Sequence, residues 1–428
     1  MAVGGPSDNN GVGATWIFMN TGTWSQQDKL VGTGYIGQSR QGFGVSLVNN
    51  VLAIGGFNNN DTGSIWLFTL SGGMWNQQSM ITQSETNTFN LGESVSLSLS
   101  GTILSSGGNY LGNGSTFIFN NSNKIAVLTG TNGINQSIQG NAVSISYDGT
   151  YIVEGGVYVG YGAIWVFKFN GSIWIQQGIK ISPTDSIKNS NFGSSTSISS
   201  KGSTLAVGGI GDNDYTGATW IYTNINDVWT QQAKLVGTDN IGICLQGYSV
   251  SLSADGNTLA VGGPYDNVNI GATWIFTSIN GVWTQQAKLI GDNIGQSNQG
   301  GSVSLNSNGT LLAIGGLGDN DNMGATWIFT KINNIWVQQI KLIGTGNVGN
   351  SQQGYSVSLT ADGNTLAIGG VANDGYKGAI WIFTKINNTW TQQTKLSSNV
   401  IGEGRSLSLS GNGNLLVSGS YGNTLIYG

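Results

Sequence analysis

Histidine is absent from the 428-residue sequence, and cysteine occurs once, at Cys244. Without histidine, nucleophilic catalysis of the Ser-His-Asp or Cys-His kind is excluded. Zinc sites built from cysteine and histidine are excluded for the same reason. A single cysteine cannot form a disulfide within the chain, so no disulfide framework holds this fold together.

Charge is also scarce. Charged residues make up 8% of the sequence and the net charge is −5, against about 25% charged residues in a typical soluble domain. No basic run exists to neutralise a phosphate backbone, so we expect no nucleic-acid partner. No apolar run approaches the length of a membrane span, so we expect no membrane insertion. A surface this weakly charged suits a protein packed in an assembly, and we expect an extracellular, surface or virion location rather than a cytoplasmic one.

Proline is rare, with 3 residues, whereas glycine is abundant, with 70. The glycines separate short runs in a repeating unit whose clearest copy starts at Gly247 and begins again at Gly300, 53 residues later. The runs in this copy read YSVSLS, TLAVGG, ATWIFT and WTQQAKL. They are rich in β-branched and aromatic residues, and the Asp-Gly and Asn-Gly pairs between them favour hairpins. Each unit is therefore predicted to be a four-stranded antiparallel meander.

Seven complete units lie between incomplete repeats at residues 1–41 and 402–428. Each strand has a bulky face and a small face, so neighbouring sheets can pack large residues against small ones. The sequence thus predicts a single all-β domain over residues 1–428, a β-propeller of four-stranded blades. We expect eight blades, with seven or nine as alternatives. Joining the trailing first strand to the three leading strands leaves one surplus hairpin, which is predicted to have unpaired edges and to serve assembly.

Two motifs carry a family resemblance. FGVS at Phe43 and FGSS at Phe192, together with GGP at Gly4 and Gly262, resemble the FG-GAP repeat of integrin α-subunit propellers. The resemblance covers nearly the whole chain and implies a propeller, such as those found in many secreted or surface proteins. The family's Asp-rich calcium loop between the first two strands is not matched, because that hairpin here is SADGN at 253–257, with one carboxylate.

A different loop, after the second strand, is rich in aspartate and asparagine. Oxygen ligands of this kind suit calcium, and the best candidates for a weak calcium site are Asp212, Asp214, Asp319 and Asp321. The same residue types form Asx turns and tolerate left-handed backbone, so turn formation alone also explains the loop.

Three residues mark departures from the repeat. Glu154 stands in IVEGG where other copies have valine, and a buried carboxylate requires a partner or a water-filled channel. We expect Glu154 to be hydrogen-bonded or channel-facing; a catalytic role is the alternative. The third repeat, around Phe117 and Lys124, has lost its second tryptophan and both glutamines. These positions are candidate interaction sites.

The paired tryptophans, such as Trp274 and Trp283, recur at fixed strand positions, which favours packing between blades over stacking on sugars. The leading functional prediction is a non-enzymatic structural or interaction propeller, part of a surface layer, adhesin or virion coat. Its expected partners are other copies of the chain or another protein. A carbohydrate-binding propeller is the alternative, and a hydrolase using Glu154 is third.

Overall fold

The computed structural model of the chain describes residues 2–5, 8–20, 24–48, 50–82, 91–92, 94–97, 103–108, 115–120, 123–128, 130, 142–156, 162–397, 403–409 and 416–419. These residues form 33 strands in eight sheets. Seven sheets have four strands and one has five. The last copy of the third strand, NTLIY at Asn423, lies outside the described residues.

The strands follow one another in the order that the repeats predict. The first three are β1 (Ala2–Gly5), β2 (Ala14–Asn20) and β3 (Trp24–Leu30). Sheet 1 contains β4 (Val45–Val48), β5 (Val51–Gly56), β6 (Ser64–Ser71) and β7 (Met74–Thr82). Sheet 2 contains β8 (Ser94–Leu97), β9 (Ile103–Gly108), β10 (Ser115–Asn120) and β11 (Asn123–Leu128). Sheet 3 contains β12 (Ala142–Ile145), β13 (Tyr151–Gly156), β14 (Ala163–Phe169) and β15 (Trp174–Gln176).

The next four sheets are the most regular. Sheet 4 contains β16 (Phe192–Ile198), β17 (Thr204–Gly209), β18 (Ala218–Ile225) and β19 (Val228–Leu235). Sheet 5 contains β20 (Ser249–Leu252), β21 (Thr258–Gly263), β22 (Ala272–Ile279) and β23 (Val282–Leu289). Sheet 6 contains β24 (Ser302–Leu305), β25 (Leu311–Gly316), β26 (Ala325–Ile332) and β27 (Ile335–Leu342). Sheet 7 contains β28 (Gln353–Leu359), β29 (Thr365–Gly370), β30 (Ala379–Ile386) and β31 (Thr389–Leu396), and the chain's last described strands are β32 (Ser406–Leu409) and β33 (Leu416–Gly419).

Within each four-stranded sheet, all neighbouring strands are antiparallel and follow chain order. The first strand of each sheet contacts the first strand of the next, from β4 through β32. The strands β1 and β33 in turn contact β4, which brings the last sheet against the first. The first strands therefore line the axis of a β-propeller, and the fourth strands form its outer rim. This confirms the predicted all-β propeller of four-stranded antiparallel blades.

The sheet that joins the two ends of the chain differs from the prediction. We expected one trailing strand to complete the three leading strands, with a surplus hairpin left unpaired at its edges. Instead β33 lies inside the sheet between β32 and β1, giving the order β3-β2-β1-β33-β32. The pairing of β1 with β33 is parallel and covers two residue pairs. Both strands have the sequence pattern of a second strand, so both occupy that position side by side.

Packing between blades depends on tryptophan and glycine. Trp274 on the third strand of sheet 5 is fully buried, together with Leu259 and Phe276, against residues of sheet 4. Its indole lies between two glycines: a Cβ added to Gly237 would lie 2.1 Å from the ring, and one added to Gly263 would lie 2.7 Å from it. The glycines are thus required by close approach, and the prediction that these tryptophans pack between blades is confirmed. The same arrangement recurs at Trp66, Trp327 and Trp381.

Serines of the SVSLS strand join the inner strands around the axis. An inner strand is a sheet edge, so its outward N–H groups need partners beyond its own sheet. Ser251 Oγ accepts a hydrogen bond from the N–H of Leu305 in the next sheet, at 3.1 Å. Equivalent bonds link Ser197 to Leu252 and Ser304 to Leu359, each at 3.1 Å. The small polar face of the first strand therefore supplies the hydrogen bonds that hold adjacent blades together.

The hairpins between first and second strands form a second link, at one end of the axis. The N–H of Ser200 donates to Ala254, that of Ala254 to Ser307, and that of Ser307 to the carbonyl of Ala361, at 2.9–3.0 Å. At the opposite end of the axis, where the first strands begin, the loops that enter each blade surround the axis.

The Asp/Asn-rich loops after the second strands form short helical turns. These are α1 (Asp8–Gly11), α2 (Asp212–Tyr215), α3 (Asp266–Asn269), α4 (Asp319–Asn322) and α5 (Asn373–Tyr376), with a 3₁₀ turn at Asn59–Asp61. Their central residues have left-handed backbone, for example φ 48° at Asn213 and 55° at Asp214. Asparagine and aspartate tolerate this region better than other side chains. The predicted left-handed turns are confirmed, although Val268 also adopts φ 55°.

Candidate functional site

One ring position varies from blade to blade while its surroundings stay constant. It is the residue directly after the glycine at the start of each first strand. In the described chain this position is held by Phe43, Ser194, Tyr248, Gly301, Tyr355 and Arg405. Because the first strands surround the axis, these side chains lie around one mouth of the propeller's channel. A variable surface on a constant scaffold is where binding residues are expected.

A pocket of about 460 Å³ lies at this mouth and spans the first strands of sheets 5, 6 and 7 and of the closing sheet. Tyr248, Tyr265, Asn298, Tyr355 and Arg405 contribute its polar and aromatic lining. The aliphatic lining comes from Pro264, Val303, Leu317, Val357 and Leu407. No catalytic or binding residue predicted from the sequence lies in this lining.

Gly301 explains why the cavity exists. Its neighbours at the same ring position, Tyr248 and Tyr355, carry large side chains, whereas Gly301 leaves the space between them open. A Cβ added to Gly301 would touch only the carbonyl oxygen of Asn298, at an ordinary 3.5 Å. The backbone there is not in the left-handed region. The gap therefore reflects a missing side chain and not a steric requirement for glycine.

Arg405 supplies the positive charge of the pocket. Its Nη1 donates a hydrogen bond to the Tyr355 hydroxyl at 3.3 Å, and its guanidinium carbon lies 5.9 Å from the centre of the Tyr355 ring. The sequence contains only one other arginine, Arg40. Arg40 lies over the ring of Phe57 at 5.6 Å, on the loop that enters sheet 1 at the same end of the axis. Both arginines of a sparsely charged protein are thus held at this end by aromatic rings.

The serines in the pocket wall are engaged in hydrogen bonds of the scaffold. Ser249 Oγ donates to the Gly300 carbonyl at 2.8 Å, and Ser356 Oγ donates to the Gly404 carbonyl at 2.7 Å. Ser302 Oγ accepts the N–H of Val357 at 3.0 Å. Their first role is to join adjacent blades.

The four calcium candidates occupy two different environments. Asp212 and Asp319 are buried and form ion pairs with Lys234 and Lys341, each at 2.7 Å. Their Oδ1 atoms accept backbone N–H groups of Ile187 and Ile294, at 2.6 and 2.8 Å, from the loops between blades. Each of these lysines also lies 5.3 Å from the centre of a buried indole, Trp220 or Trp327.

Asp214 and Asp321 lie on the exposed side of the same turns. The Asp214 carboxylate is paired with Lys188 at 2.5 Å, and the side chains of this pair are 71% and 62% exposed. In neither turn do the two aspartates converge. Across the described residues, no group of three or more histidine, cysteine or acidic side chains is placed to hold a metal ion. Calcium binding stays a prediction.

A buried glutamine holds each loop glycine against its tryptophan. In sheet 5, Gln246 Oε1 accepts the N–H of Gly237 at 2.6 Å, and its Nε2 donates to the Gly237 carbonyl at 3.2 Å. Gln41, Gln299 and Gln353 make the same pair of bonds.

Pairing with the preceding blade places Phe192 at the position of Gln246, whereas Phe43 aligns with Tyr248. The two FG dipeptides therefore have different structural positions.

The remaining candidate positions lie away from the mouth. Glu154 is fully buried on β13, opposite Val143 and Trp165 in the strand register, so it does not face the channel. Phe117 pairs with Ser106 and Val127 in sheet 2, and Lys124 pairs with Phe119 across a bulge. The structure does not bring these three residues to one site.

Cys244 is buried in the loop leading to sheet 5, and its Sγ lies 3.3 Å from Asp266 Oδ1. Burial, reinforced by the hydrogen bond to Asp266, raises the pKa of the thiol to about 11. The thiol is therefore protonated and unreactive at neutral pH.

Comparison with known proteins shows the fold alone. No family model and no curated relative matches the sequence. The C-terminal WD40 domain of Sif2 matches with a TM-score of 0.60 and 15% identity, over 88% of this chain and 92% of that domain. Candidate 6-phosphogluconolactonases from Bacteroides uniformis and Bacteroides fragilis match with a TM-score of 0.50 each, at 12% and 13% identity. They cover 80% of this chain and 95% and 94% of theirs. The chain has the propeller fold.

In the part of the chain that the structure describes, no helix has the length and apolar character to cross a membrane. The helical turns present are four residues long or shorter.

Proposed function

We propose that this protein is a non-enzymatic interaction propeller that binds a partner protein at the mouth of its channel. The observation that carries the proposal is the pocket of about 460 Å³ beside Gly301, with its exposed tyrosines and Arg405. Exposed Tyr and Arg are the residue types most enriched at the energetic centres of protein interfaces. Tyr248 and Tyr265 are 47% and 43% exposed, although both have apolar bodies that favour burial.

The scaffold supports this role, since its polar residues are largely used for holding blades together. The buried glutamines, the inner serines and the lysine–aspartate pairs each satisfy backbone or charged groups of the ring. We propose that the ring closes with eight blades, one for each sheet, which keeps the variable mouth residues on a rigid frame. The setting we propose is extracellular or virion-associated, as part of a surface layer, adhesin or coat.

Site-specific photo-crosslinking tests the proposal. Benzoylphenylalanine replaces Tyr248 at the mouth, or Lys201 at the opposite hairpin, in the full chain. Each variant is irradiated with an extract of the organism that encodes the protein. We expect a defined adduct with a partner protein from position 248 and none from position 201. Absence of any adduct at position 248, or an equal yield at both positions, would contradict a protein-binding mouth.

Self-association is a second proposal, supported by the outer rim. The hairpins between third and fourth strands expose aliphatic side chains in four successive sheets, such as Ile279 and Val282, which are 69% and 64% exposed. Repeated exposed aliphatic residues favour edge-to-edge contacts between copies. Sedimentation velocity should show concentration-dependent oligomers that the double change Ile279→Lys and Val282→Lys reduces. A monomer at all concentrations would contradict this proposal.

The other predicted functions remain proposals of lower rank. A carbohydrate-binding propeller would have to use the exposed tyrosines, because the third-strand tryptophans are buried in the blade interfaces. A hydrolase would rely on Glu154, which lies on a buried second strand. Weak calcium binding at the Asp/Asn turns and kinship with FG-GAP propellers likewise stay predictions.

A further inference from the structure

We infer that the mouth pocket binds a short peptide segment in which an acidic side chain is next to an apolar one. This inference rests on the proposed protein-binding function and names the chemistry of the segment that enters the pocket. It follows from the charge of the pocket, from its apolar lining, and from the hydroxyl groups of its wall, which already make hydrogen bonds within the scaffold.

The charge of the pocket selects an anion. Among the residues that the structure describes, Arg405 is the only charged residue that lines the cavity. Its guanidinium is oriented by the Tyr355 ring and hydroxyl, and an oriented guanidinium recognises a carboxylate by charge-assisted hydrogen bonds. The net charge of −5 repels acidic partners overall, whereas the cationic pocket attracts an acidic group locally.

The remaining wall selects an apolar neighbour for that carboxylate. Val303, Leu317 and Val357 line the cavity together with the tyrosines; Leu317 is partly exposed, whereas Val303 and Val357 are 9% and 6% exposed. A side chain such as leucine or phenylalanine gains stability by removing this lining from water, at about 25 cal/mol per Å². The cavity volume of about 460 Å³ falls within the range of about 300–1,000 Å³ typical of small-ligand pockets. It therefore suits a few side chains of an extended segment.

The same wall disfavours an acidic sugar as the occupant. Sugar recognition needs side chains that donate to and accept from many hydroxyl groups. The serines of the wall are engaged with Gly300, Gly404 and Val357, and Asn298 Nδ2 donates to the carbonyl of Pro264 at 3.3 Å. A peptide needs fewer such groups, because its apolar side chain binds by burial.

Selection from a phage-displayed library of random heptapeptides on the immobilised full chain tests the inference. Enriched peptides should contain aspartate or glutamate adjacent to a large apolar residue. One enriched peptide is then synthesised with its acid intact and with the acid replaced by the corresponding amide. Fluorescence anisotropy measures its affinity for the wild type, Arg405→Gln and the control Lys201→Gln, which removes the same charge at the opposite end of the axis.

We expect Arg405→Gln to weaken binding on the order of tenfold, as expected for loss of one charge-assisted pair. Lys201→Gln should leave the affinity within about twofold, the range expected for a distant exposed charge. The amide peptide should bind the wild type on the order of tenfold more weakly and lose nothing further with Arg405→Gln. Measuring the acid and amide peptides on both proteins isolates the contact between Arg405 and the acid, even where Arg405→Gln alters the stability of the mouth.

Three results would overturn the inference. They are enriched peptides without acidic residues, equal binding by wild type and Arg405→Gln, or binding of hyaluronan oligosaccharides with no peptide enriched. In each case an adduct from benzoylphenylalanine at position 248 would leave the proposed protein-binding function standing. Loss of that adduct would instead contradict the proposed function itself.

Discussion

The ammonium group of Lys288 lies 2.7 Å from the carboxylate of Asp266, which is fully buried. Lys288 also lies 5.3 Å from the centre of the Trp274 ring, and the other carboxylate oxygen of Asp266 accepts the N–H of Ile241 at 2.7 Å. One strand, one turn and one loop between blades thus meet at a single ion pair. Sheets 4 and 6 repeat this arrangement.

Replacing Asp266 by asparagine should destabilise the fold by about 1–3 kcal/mol, because Lys288 then loses its charged partner. The loss should be smaller than for Asp266→Ala, since the asparagine oxygen can still accept the N–H of Ile241, as Asn373 does for Val348 in sheet 7. Urea unfolding measures both. Equal stability of wild type and Asp266→Asn would show that the pair contributes nothing.

Sheet 7 offers the reverse experiment, because its turn has Asn373 opposite Lys395. Burial lowers the pKa of Lys395, with Asp374 and Glu403 acting in the opposite direction. Protonated Lys395 therefore costs stability, and this cost should fall as pH rises through the lowered pKa towards the unfolded value of 10.5. Asn373→Asp should stabilise the protein at pH 7, and its advantage over the wild type should shrink by pH 10. An advantage of Asn373→Asp that grows with pH would contradict a lowered pKa for Lys395.

Gly237→Ala should destabilise the protein by about 3 kcal/mol or more, because the new methyl would overlap the Trp274 indole. Gly301→Ala is the matched control, since neither glycine has left-handed backbone and Gly301 has open space. Thermal unfolding compares the two variants. A similar decrease in Tm for both would show that the tryptophan contact is not what requires glycine.

Gln246→Leu should cost about 2–4 kcal/mol, because the N–H and carbonyl of Gly237 lose both partners in a buried site. Leucine is the matched choice, because Leu91 occupies the position equivalent to Gln246 in the loop before sheet 2. Hydrogen exchange should show faster exchange at the Gly237 amide in the variant. Unchanged protection of that amide would mean that Gln246 does not hold the loop.

Native Cys244 should react slowly with thiol reagents. With a pKa of about 11, on the order of a thousandth of the thiol is ionised at pH 8, and burial slows access further. Labelling with Ellman's reagent should be rapid in denaturant and slow in buffer. Rapid labelling of the native protein would contradict the burial of this loop.

Much of this fold could be predicted from the sequence, because the repeats record it several times. The strand order, the buried tryptophans and the left-handed Asp/Asn turns all follow from residue type and spacing. The ends could not be predicted in the same way. The strands β1 and β33 match the second-strand pattern equally well, and only three-dimensional packing places them side by side in one sheet.

The candidate site was missed for a related physical reason. Residues that add a reactive or charged group, such as Glu154 or the Asp-rich turns, are visible in the sequence, whereas the pocket arises from a missing side chain at Gly301. Arg405 was the available signal, since it is one of two arginines and occupies a ring position held by tyrosine in two other blades. The lysine partners of Asp212 and Asp319 lie on a strand after the turn, so only the structure shows that these acids are paired.

The central claim is that the open space beside Gly301 is the binding site, and filling it tests this most directly. Gly301→Tyr introduces the side chain that the adjacent ring positions already carry, so the fold should be retained with an unchanged Tm. Isothermal titration calorimetry then measures the affinity of the partner identified by crosslinking at position 248. We predict a loss on the order of tenfold or more, as expected when a central interface pocket is blocked. Equal affinity of wild type and Gly301→Tyr would contradict the account.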